Sequence, residues 1–234
     1  MAAPQHGGRA PLRPAVEVFR RERARLAEAF AAADPTEGVG CEGWTAMDLL
    51  AHVAAQEQLG GVPVLLASPL VVAVPPRFRD GVRAAVLERT SRRLTRSASY
   101  ERMVDLLRRR SPSLFELPVI VHTRIVEMWV HHEDLRRQGS REPRPHDDRT
   151  RSQLWAAVRL LARRVSPPPD VGLTLDAGDG RRVRAGRRRS RPVSVSGEPG
   201  ELLLYLLGRR AWAQVDVSGD PIAVAFLDNG WRLL

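Results

Sequence analysis

The segment RIVEMWVHHEDLRR (124–137) combines the periodicity of an α-helix with a row of polar side chains on one face. Glu127 and His131 are four residues apart, so they project from the same face of a helix, and Asp134 continues that face. Two valines adjoin this row, which predicts that it faces a semi-buried interior rather than open water. The spacing therefore favours a helix that points a carboxylate and an imidazole into the protein.

A second segment, CEGWTAMDLLAHVAAQE (41–57), predicts another helix with an inward-pointing histidine. Thr45 and Asp48 form a helix-start signal, because each side chain can accept a backbone N–H at the first turn. His52 follows one turn after Asp48, within a run of alanines and leucines. Two helices that point polar side chains at each other are how helical bundles build metal sites.

The residue types agree with a metal site made of His52, Glu127 and His131. Two neutral imidazoles and one carboxylate suit a borderline divalent cation, most naturally Zn²⁺, and three protein ligands leave a fourth position for water or substrate. A ligating histidine needs an acceptor on its second ring nitrogen. Asp48 and Asp134, each about one turn from a histidine, are the candidates for that supporting role.

Spacing alone leaves other interpretations open. A histidine in mid-helix is commonly a core residue, and an E-x-x-x-H pair commonly lies on a helix surface. His122, His132 and Glu133 compete as ligands, although on a helix His132 points about 100° away from its neighbour His131.

The rest of the chain predicts an α+β protein with two domains. A helical period continues to the linker Ser-Pro-Pro-Pro-Asp, and beyond this linker the period changes to that of strands and short helices. The predicted helices of the first part cover residues 14–33, 46–59, 79–109 (as one helix or two), 118–139 and 150–165. The predicted divisions are a disordered tail over 1–14, a helical bundle over 15–166 and a small α+β domain over 171–234.

The last 65 residues or so predict a small sheet with two helices. VGLTLDA and RRVRAG flank a Gly-Asp-Gly turn and indicate a β-hairpin. PVSVSG and AQVDVSG are further strands, and GELLLYLLGRR is a helix. A closing helix starts at Asp220 as the cap, with Pro221 in its first turn.

Composition excludes several classes of protein. The formal charge is +10, and all 37 basic residues are arginine without a single lysine, a bias that we interpret as that of a GC-rich genome. The only cysteine, Cys41, rules out an internal disulfide framework and favours a reducing cytoplasm. The first 14 residues lack the apolar segment that is typical of a signal peptide. The apolar stretch 62–74 is too short to span a bilayer, so we expect it to be a buried connection, without any role at a membrane.

The two helical segments together resemble the actinobacterial branch of the DinB/YfiT-like metal-binding superfamily, and within it the mycothiol-dependent maleylpyruvate isomerase family. The motifs that carry the resemblance are G-W-T-x-x-D-L-x-x-H and E-x-x-x-H-x-x-D. The segment PVSVSGEPGELLLYLLGRRAWAQVDVSGDP (192–221) resembles the small C-terminal domain of the same family. The resemblance covers residues 15–230.

The resemblance implies a fold, a set of ligands and a co-substrate. The fold would be a DinB-like four-helix bundle followed by a C-terminal α+β domain of sterol-carrier-like character. The family's metal histidine falls on His52, and its Glu and His fall on Glu127 and His131. Mycothiol would be the thiol co-substrate.

An enzyme of this kind would use a thiolate to attack a small electrophilic substrate, unsaturated or carboxylate, by isomerisation or thiol transfer. Cys41 is expected to be a small buried residue of the loop, so the reacting thiol would come from outside the chain. Arg124, Arg209 and Arg210 are the candidates for holding a substrate anion.

Two other functions remain open from the sequence. The same ligands would serve a metal-binding or sensor protein without catalysis. The segment RRVRAGRRRSR (181–191) could bind nucleic acid, but it has no aromatic residue for stacking, so a solvated charged hairpin is favoured and no nucleic-acid partner is expected. Either a monomer or a homodimer agrees with the sequence.

Overall fold

The computed structural model describes residues 12–41, 43–60, 76–109, 111–139, 142–165, 167, 170–185 and 191–228. The apolar stretch 62–74, which we predicted to be a buried connection, lies outside these residues. Within them, no helix is both long and apolar enough to cross a membrane.

The N-terminal part is helical. Its elements in chain order are α1 (Leu12–Ala32), α2 (Ala46–Gln58), α3 (Pro76–Ser97), α4 (Tyr100–Arg108), a short 3₁₀ helix (Ser113–Glu116), α5 (Pro118–Arg136) and α6 (Asp148–Ala162). The region predicted as one long helix or two is two helices, because Ser99 adopts an extended conformation and its side chain accepts the N–H of Arg102 at the start of α4.

The start of α2 is the predicted capping box. The Thr45 side chain accepts the N–H of Asp48, and the Asp48 carboxylate accepts the N–H of Thr45 at 3.0 Å. This pair satisfies donors that the first turn of a helix otherwise leaves without partners. It fixes where α2 begins, and therefore where His52 lies along the helix.

The C-terminal part is a four-stranded sheet with two helices. Its elements are β1 (Val171–Asp176), β2 (Arg182–Ala185), β3 (Arg191–Ser196), α7 (Pro199–Leu206), β4 (Asp216–Gly219) and α8 (Pro221–Asp228). The strand order is β2-β1-β3-β4, with β1 and β3 parallel and the two outer pairs antiparallel. The predicted hairpin and both predicted helices are present, and the Asp220 carboxylate caps α8 by accepting the N–H of Ala223 at 3.0 Å.

Two hydrophobic cores meet on α5. One face of α5 contributes Val121, Ile125 and Met128 to the core of the helical bundle. Trp129 and Val130, on another face, belong to a second core built with α6, α7 and the sheet. Hydrophobic contacts therefore join α6 to the C-terminal part, and the domain boundary placed at 166–171 from the sequence stays a prediction.

Buried ion pairs also connect the two parts. Glu133, with none of its side chain exposed, accepts hydrogen bonds from Arg136, Arg137 and Arg144. Arg137, equally buried, reaches across to Glu201 on α7 with two hydrogen bonds of 3.0 and 2.5 Å. A bidentate arginine–carboxylate pair fixes both distance and orientation, so it holds α7 in place against α5.

His146 makes the stability of this junction depend on pH. Burial, together with the charge of Arg144, lowers the pKa of His146 to about 4, and its ring lies 5.6 Å from that of Trp129. The unfolded chain binds this proton near pH 6.5, so the neutral ring's contribution is complete above that pH and is lost as the pH falls towards 4. Between pH 7.5 and 4.5 we expect the free energy of unfolding of wild type to fall about 1–2 kcal/mol further than that of His146→Gln, allowing for partial exposure of the ring. Equal falls in chemical denaturation at the two pH values would contradict this expectation.

Candidate metal site

The structure brings His52 on α2 together with Glu127 and His131 on α5. One donor atom from each of these residues lies within 4.8 Å of the other two, and we call the three residues the donor group. His131 Nε2 is 3.3 Å from Glu127 Oε2, and the two imidazole rings have their centroids 5.4 Å apart. The i, i+4 spacing on α5 and the inward face of α2 thus produce the predicted constellation.

One distance within the donor group has the value expected between two ligands of a zinc ion. Ligands about 2.0–2.1 Å from a tetrahedral zinc ion are about 3.3–3.4 Å from one another. The distance between His131 and Glu127 already has this value. Two imidazoles and one carboxylate are also the ligand types that zinc accepts at sites with an open position.

Asp134 forms a hydrogen bond with His131. Its Oδ2 lies 3.0 Å from Nδ1 of the imidazole, which leaves Nε2 facing Glu127. Burial opposes the charged imidazolium, but the hydrogen bonds of Asp134 and Glu127 outweigh it and raise the pKa of His131 to about 9. Burial likewise opposes ionisation of Glu127, yet the contacts with His131 and the charge of the histidines lower the pKa of its carboxyl group. With this pKa, His131 is protonated at neutral pH and forms an ion pair with Glu127 and Asp134, so a cation that binds here would replace the proton on Nε2.

A second cluster adjoins the donor group and consists of Cys41, Asp134 and Arg209. The Arg209 guanidinium donates to both carboxylate oxygens of Asp134, at 3.0 and 2.8 Å, and to Cys41 Sγ at 3.3 Å. Cys41, His131 and Asp134 have donor atoms close enough for a metal ion, but Arg209 already supplies a positive charge to two of them. Arg209 belongs to the C-terminal part, so that part contributes directly to the surroundings of the site.

The Cys41 thiol is not activated in these surroundings. Burial, followed by the negative charge of Asp134, raises the pKa of Cys41 to about 12. A thiolate is the reactive form of cysteine, so at neutral pH this side chain is a poor nucleophile.

A close contact between the two parts of the chain lies next to this cluster. Gly40 donates its N–H to the Asp134 carbonyl, and a Cβ atom built on Gly40 would be 1.8 Å from the ring of Trp212. The loop before α2 therefore requires glycine here, because the indole ring takes the space of a side chain.

The two other arginines predicted to bind a substrate anion interact with other groups of the protein. Arg124 has no exposed surface; it pairs with Glu57 at 2.8 Å, donates to Gln56 and lies over the ring of Phe115. This geometry favours a positioning role over the predicted contact with substrate, because the guanidinium is closed off from solvent. Arg210 donates to the Leu227 carbonyl at 2.6 Å and lies over Tyr205, within the C-terminal part.

The remaining candidates have other roles in the described residues. Asp48 engages Thr45 in the capping box, and the prediction that it supports the His52 imidazole stays untested. His122, His132 and Glu133 are absent from the groups of metal-binding donors found among the described residues. Glu133 instead accepts hydrogen bonds from Arg136, Arg137 and Arg144.

Sequence reasoning did not identify Gln56. Its side-chain nitrogen lies 2.9 Å from His52 Nε2 and 3.0 Å from Glu127 Oε2, so it contacts two members of the donor group. The signal was present in the sequence, because Gln56 follows His52 by four residues and shares its helix face.

Comparisons with known proteins agree with this architecture. The family model of the mycothiol maleylpyruvate isomerase N-terminal domain matches residues 16–136, and that of the MDMPI C-terminal domain matches residues 155–225. Two similar crystal structures are those of the mycothiol-dependent maleylpyruvate isomerase (20% identity, TM-score 0.57) and of a histidine-to-alanine mutant of it (18% identity, TM-score 0.60). Each structural match covers 89% of this chain and 93% of the similar chain. Because the sequence identities are low, these matches show a shared fold. No curated protein sequence matches the chain.

Proposed function

Because this chain belongs to the mycothiol-dependent maleylpyruvate isomerase family, we propose that it is a metal- and thiol-dependent enzyme that acts on a small electrophilic substrate. The donor group of His52, Glu127 and His131 carries this proposal, since three converging ligands of these types are typical of catalytic rather than structural zinc sites. We propose Zn²⁺ as the cation and mycothiol as the thiol. When bound, the cation would supply the charge that keeps a thiol deprotonated at neutral pH.

The side chains around the donor group would orient the reactants. Asp134 fixes the ring of His131, as carboxylates commonly do behind metal-bound histidines. The raised pKa of Cys41 supports a thiol from outside the chain as the nucleophile. Addition of its sulfur to a substrate double bond, rotation and loss of the same sulfur would give isomerisation, whereas retention of the sulfur would give transfer.

We propose that Arg209 holds a carboxylate of the substrate. Its side chain is 22% exposed, it lies beside the donor group through Asp134, and guanidinium is well suited to bind carboxylates. We expect Arg209→Gln to lower kcat/KM by about 10- to 100-fold, the equivalent of a charge-assisted hydrogen bond of about 1.5–3 kcal/mol.

Arg210→Gln is the matched control for Arg209→Gln. It removes the same charge from the neighbouring residue, whose guanidinium lies against Leu227 and Tyr205. Its kcat/KM is expected to stay within about twofold of wild type. Equal losses in the two variants would contradict a specific role of Arg209.

The experiment that tests the proposed function is turnover by the metal-loaded protein with mycothiol and maleylpyruvate as probes. We expect thiol-dependent isomerisation or adduct formation that is lost in His52→Ala. Full metal occupancy without binding or reaction of any low-molecular-weight thiol would favour the non-catalytic metal-binding alternative.

The ion pairs of the arginine-rich hairpin support a solvated surface rather than a nucleic-acid site. Arg181 pairs with Asp179, Arg182 with Asp176, and Arg191 with Asp220. Residues 186–190 lie outside the described part of the chain.

A cytoplasmic location, the absence of a nucleic-acid partner, and a monomeric or homodimeric state stay predictions.

A further inference from the structure

The inference concerns Gln56, which lies on α2 and contacts one proposed ligand on its own helix and one on α5. Its Nε2 is 2.9 Å from Nε2 of His52 and 3.0 Å from Oε2 of Glu127. The residue is buried, with 7% of its surface exposed. Movement of this side chain would therefore change the hydrogen bonding of two of the three proposed ligands.

Arg124 determines which way the Gln56 amide points. Arg124 Nη1 donates to Oε1 of Gln56. Arginine has donors only, so the atom that faces it must be the amide oxygen. The NH₂ group of Gln56 then necessarily faces His52 and Glu127.

Arg124 is itself held by a buried network. Its Nη2 donates to Glu57 at 2.8 Å, and its guanidinium lies 4.3 Å from the centre of the Phe115 ring. Arg23 donates to the second carboxylate oxygen of Glu57 at 3.0 Å. Glu57 therefore bridges the two guanidinium groups, and its pairing with Arg124 limits how far that side chain can turn away from Gln56.

This orientation of the Gln56 amide determines which ring nitrogen of a neutral His52 carries the proton. The two N–H groups of the amide can donate to Glu127 Oε2 and to His52 Nε2. A donor facing Nε2 requires a lone pair on that nitrogen, so a neutral His52 carries its proton on Nδ1. Nε2 is thereby left as the atom that can bind a cation.

We propose that Gln56, oriented by Arg124, is a positioning residue that keeps the His52 Nε2 lone pair and the Glu127 carboxylate ready for a divalent cation. The inference rests on the proposed metal-dependent function. A cation on Nε2 of His52 would replace the hydrogen bond from Gln56 to that nitrogen, while the Gln56 amide could still donate to Glu127. Asp134 contacts Nδ1 of His131, the nitrogen that does not face Glu127, whereas Gln56 contacts Nε2 of His52, the nitrogen proposed to bind the cation.

The test compares zinc affinity and histidine tautomer in three variants of the full-length protein. Gln56→Met keeps the volume of the side chain but removes its polar atoms, and we expect zinc affinity to fall by about 10-fold or more, as for other groups that support ligands. Arg124→Met should weaken zinc binding in the same direction. Gln153→Met is the matched control, because Gln153 is also a buried glutamine, with 5% of its surface exposed, but it lies on α6 and outside the donor group. The zinc affinity of this variant should stay within about twofold of wild type even if its Tm falls. Competition with a chromophoric chelator measures the affinities.

Nitrogen NMR of the zinc-free protein gives an independent readout. We expect His52 to hold its proton on Nδ1 in wild type and in Gln153→Met, and to populate both tautomers in Gln56→Met. If wild type binds zinc and Gln56→Met binds it equally well or more tightly, the inference is overturned and the proposed function still stands. Tighter binding by this variant would show that the Gln56 amide competes with the cation. Failure of wild type to bind zinc would overturn both.

Discussion

Replacing His131 by alanine is expected to abolish high-affinity binding of a divalent cation. His131 offers Nε2 to the donor group at 3.3 Å from Glu127, with Nδ1 occupied by Asp134. Loss of a supporting group behind a ligand already costs about 10- to 100-fold in affinity, so loss of the ligand itself should cost more than about 100-fold. His52→Ala and Glu127→Ala are expected to behave in the same way.

His132→Ala is the matched control for these variants. His132 is adjacent to His131 on α5 and is similarly enclosed, with 13% of its side chain exposed, but it lies outside the donor group. Metal analysis of the purified proteins, followed by titration with zinc, measures occupancy and affinity. We expect about one ion per chain in wild type and His132→Ala and almost none in the three ligand variants, as for a site with three protein ligands. Unchanged occupancy in the ligand variants would show that the donor group does not bind the metal.

Removal of Glu201 is expected to destabilise the protein strongly. Glu201 lies on α7 and is the partner of the fully buried Arg137, and it also accepts the backbone N–H of Gln214 at 2.8 Å. Without Glu201, Arg137 keeps its pairing with Glu133 but loses two buried hydrogen bonds, and the N–H of Gln214 loses its acceptor. Glu201→Ala should therefore lower the free energy of unfolding by about 3–5 kcal/mol.

Glu17→Ala provides the comparison at the surface. Glu17 pairs with Arg149 at 2.6 Å, but both side chains are more than 60% exposed. Pairs of this kind contribute about 0–1 kcal/mol, so this variant should unfold close to wild type. Chemical denaturation at neutral pH measures both changes. Equal and small effects would show that Arg137 finds another partner or water when Glu201 is removed.

Local spacing predicted most of what lies on single helices. The i, i+4 relation of Glu127 and His131, the continuation to Asp134 and the capping box at Thr45 are properties of residues within two turns of one another. Such relations follow directly from helix geometry, so they can be read without knowledge of the tertiary fold.

Contacts between distant segments were not predictable in the same way. Arg124 is on the predicted helix face, but its burial depends on Glu57, which lies 67 residues earlier in the chain. The contact of Arg209 with Asp134 and Cys41 depends on how the C-terminal part packs against the bundle. Periodicity indicates which face of a helix is polar, but it does not identify the partner that will neutralise a buried charge.

The position of α5 between the two cores has a thermodynamic consequence. Since Met128 packs into one core and Trp129 into the other, neither core can lose its structure without exposing apolar surface of the helix that carries Glu127 and His131. We therefore expect the chain to melt in a single calorimetric transition rather than two. A cation bound at the bundle would then shift the melting of the distant sheet as well, by about 2.7 kcal/mol at a hundredfold excess over its Kd. The tryptophan fluorescence of the second core would thus report on occupancy of a site that it does not touch.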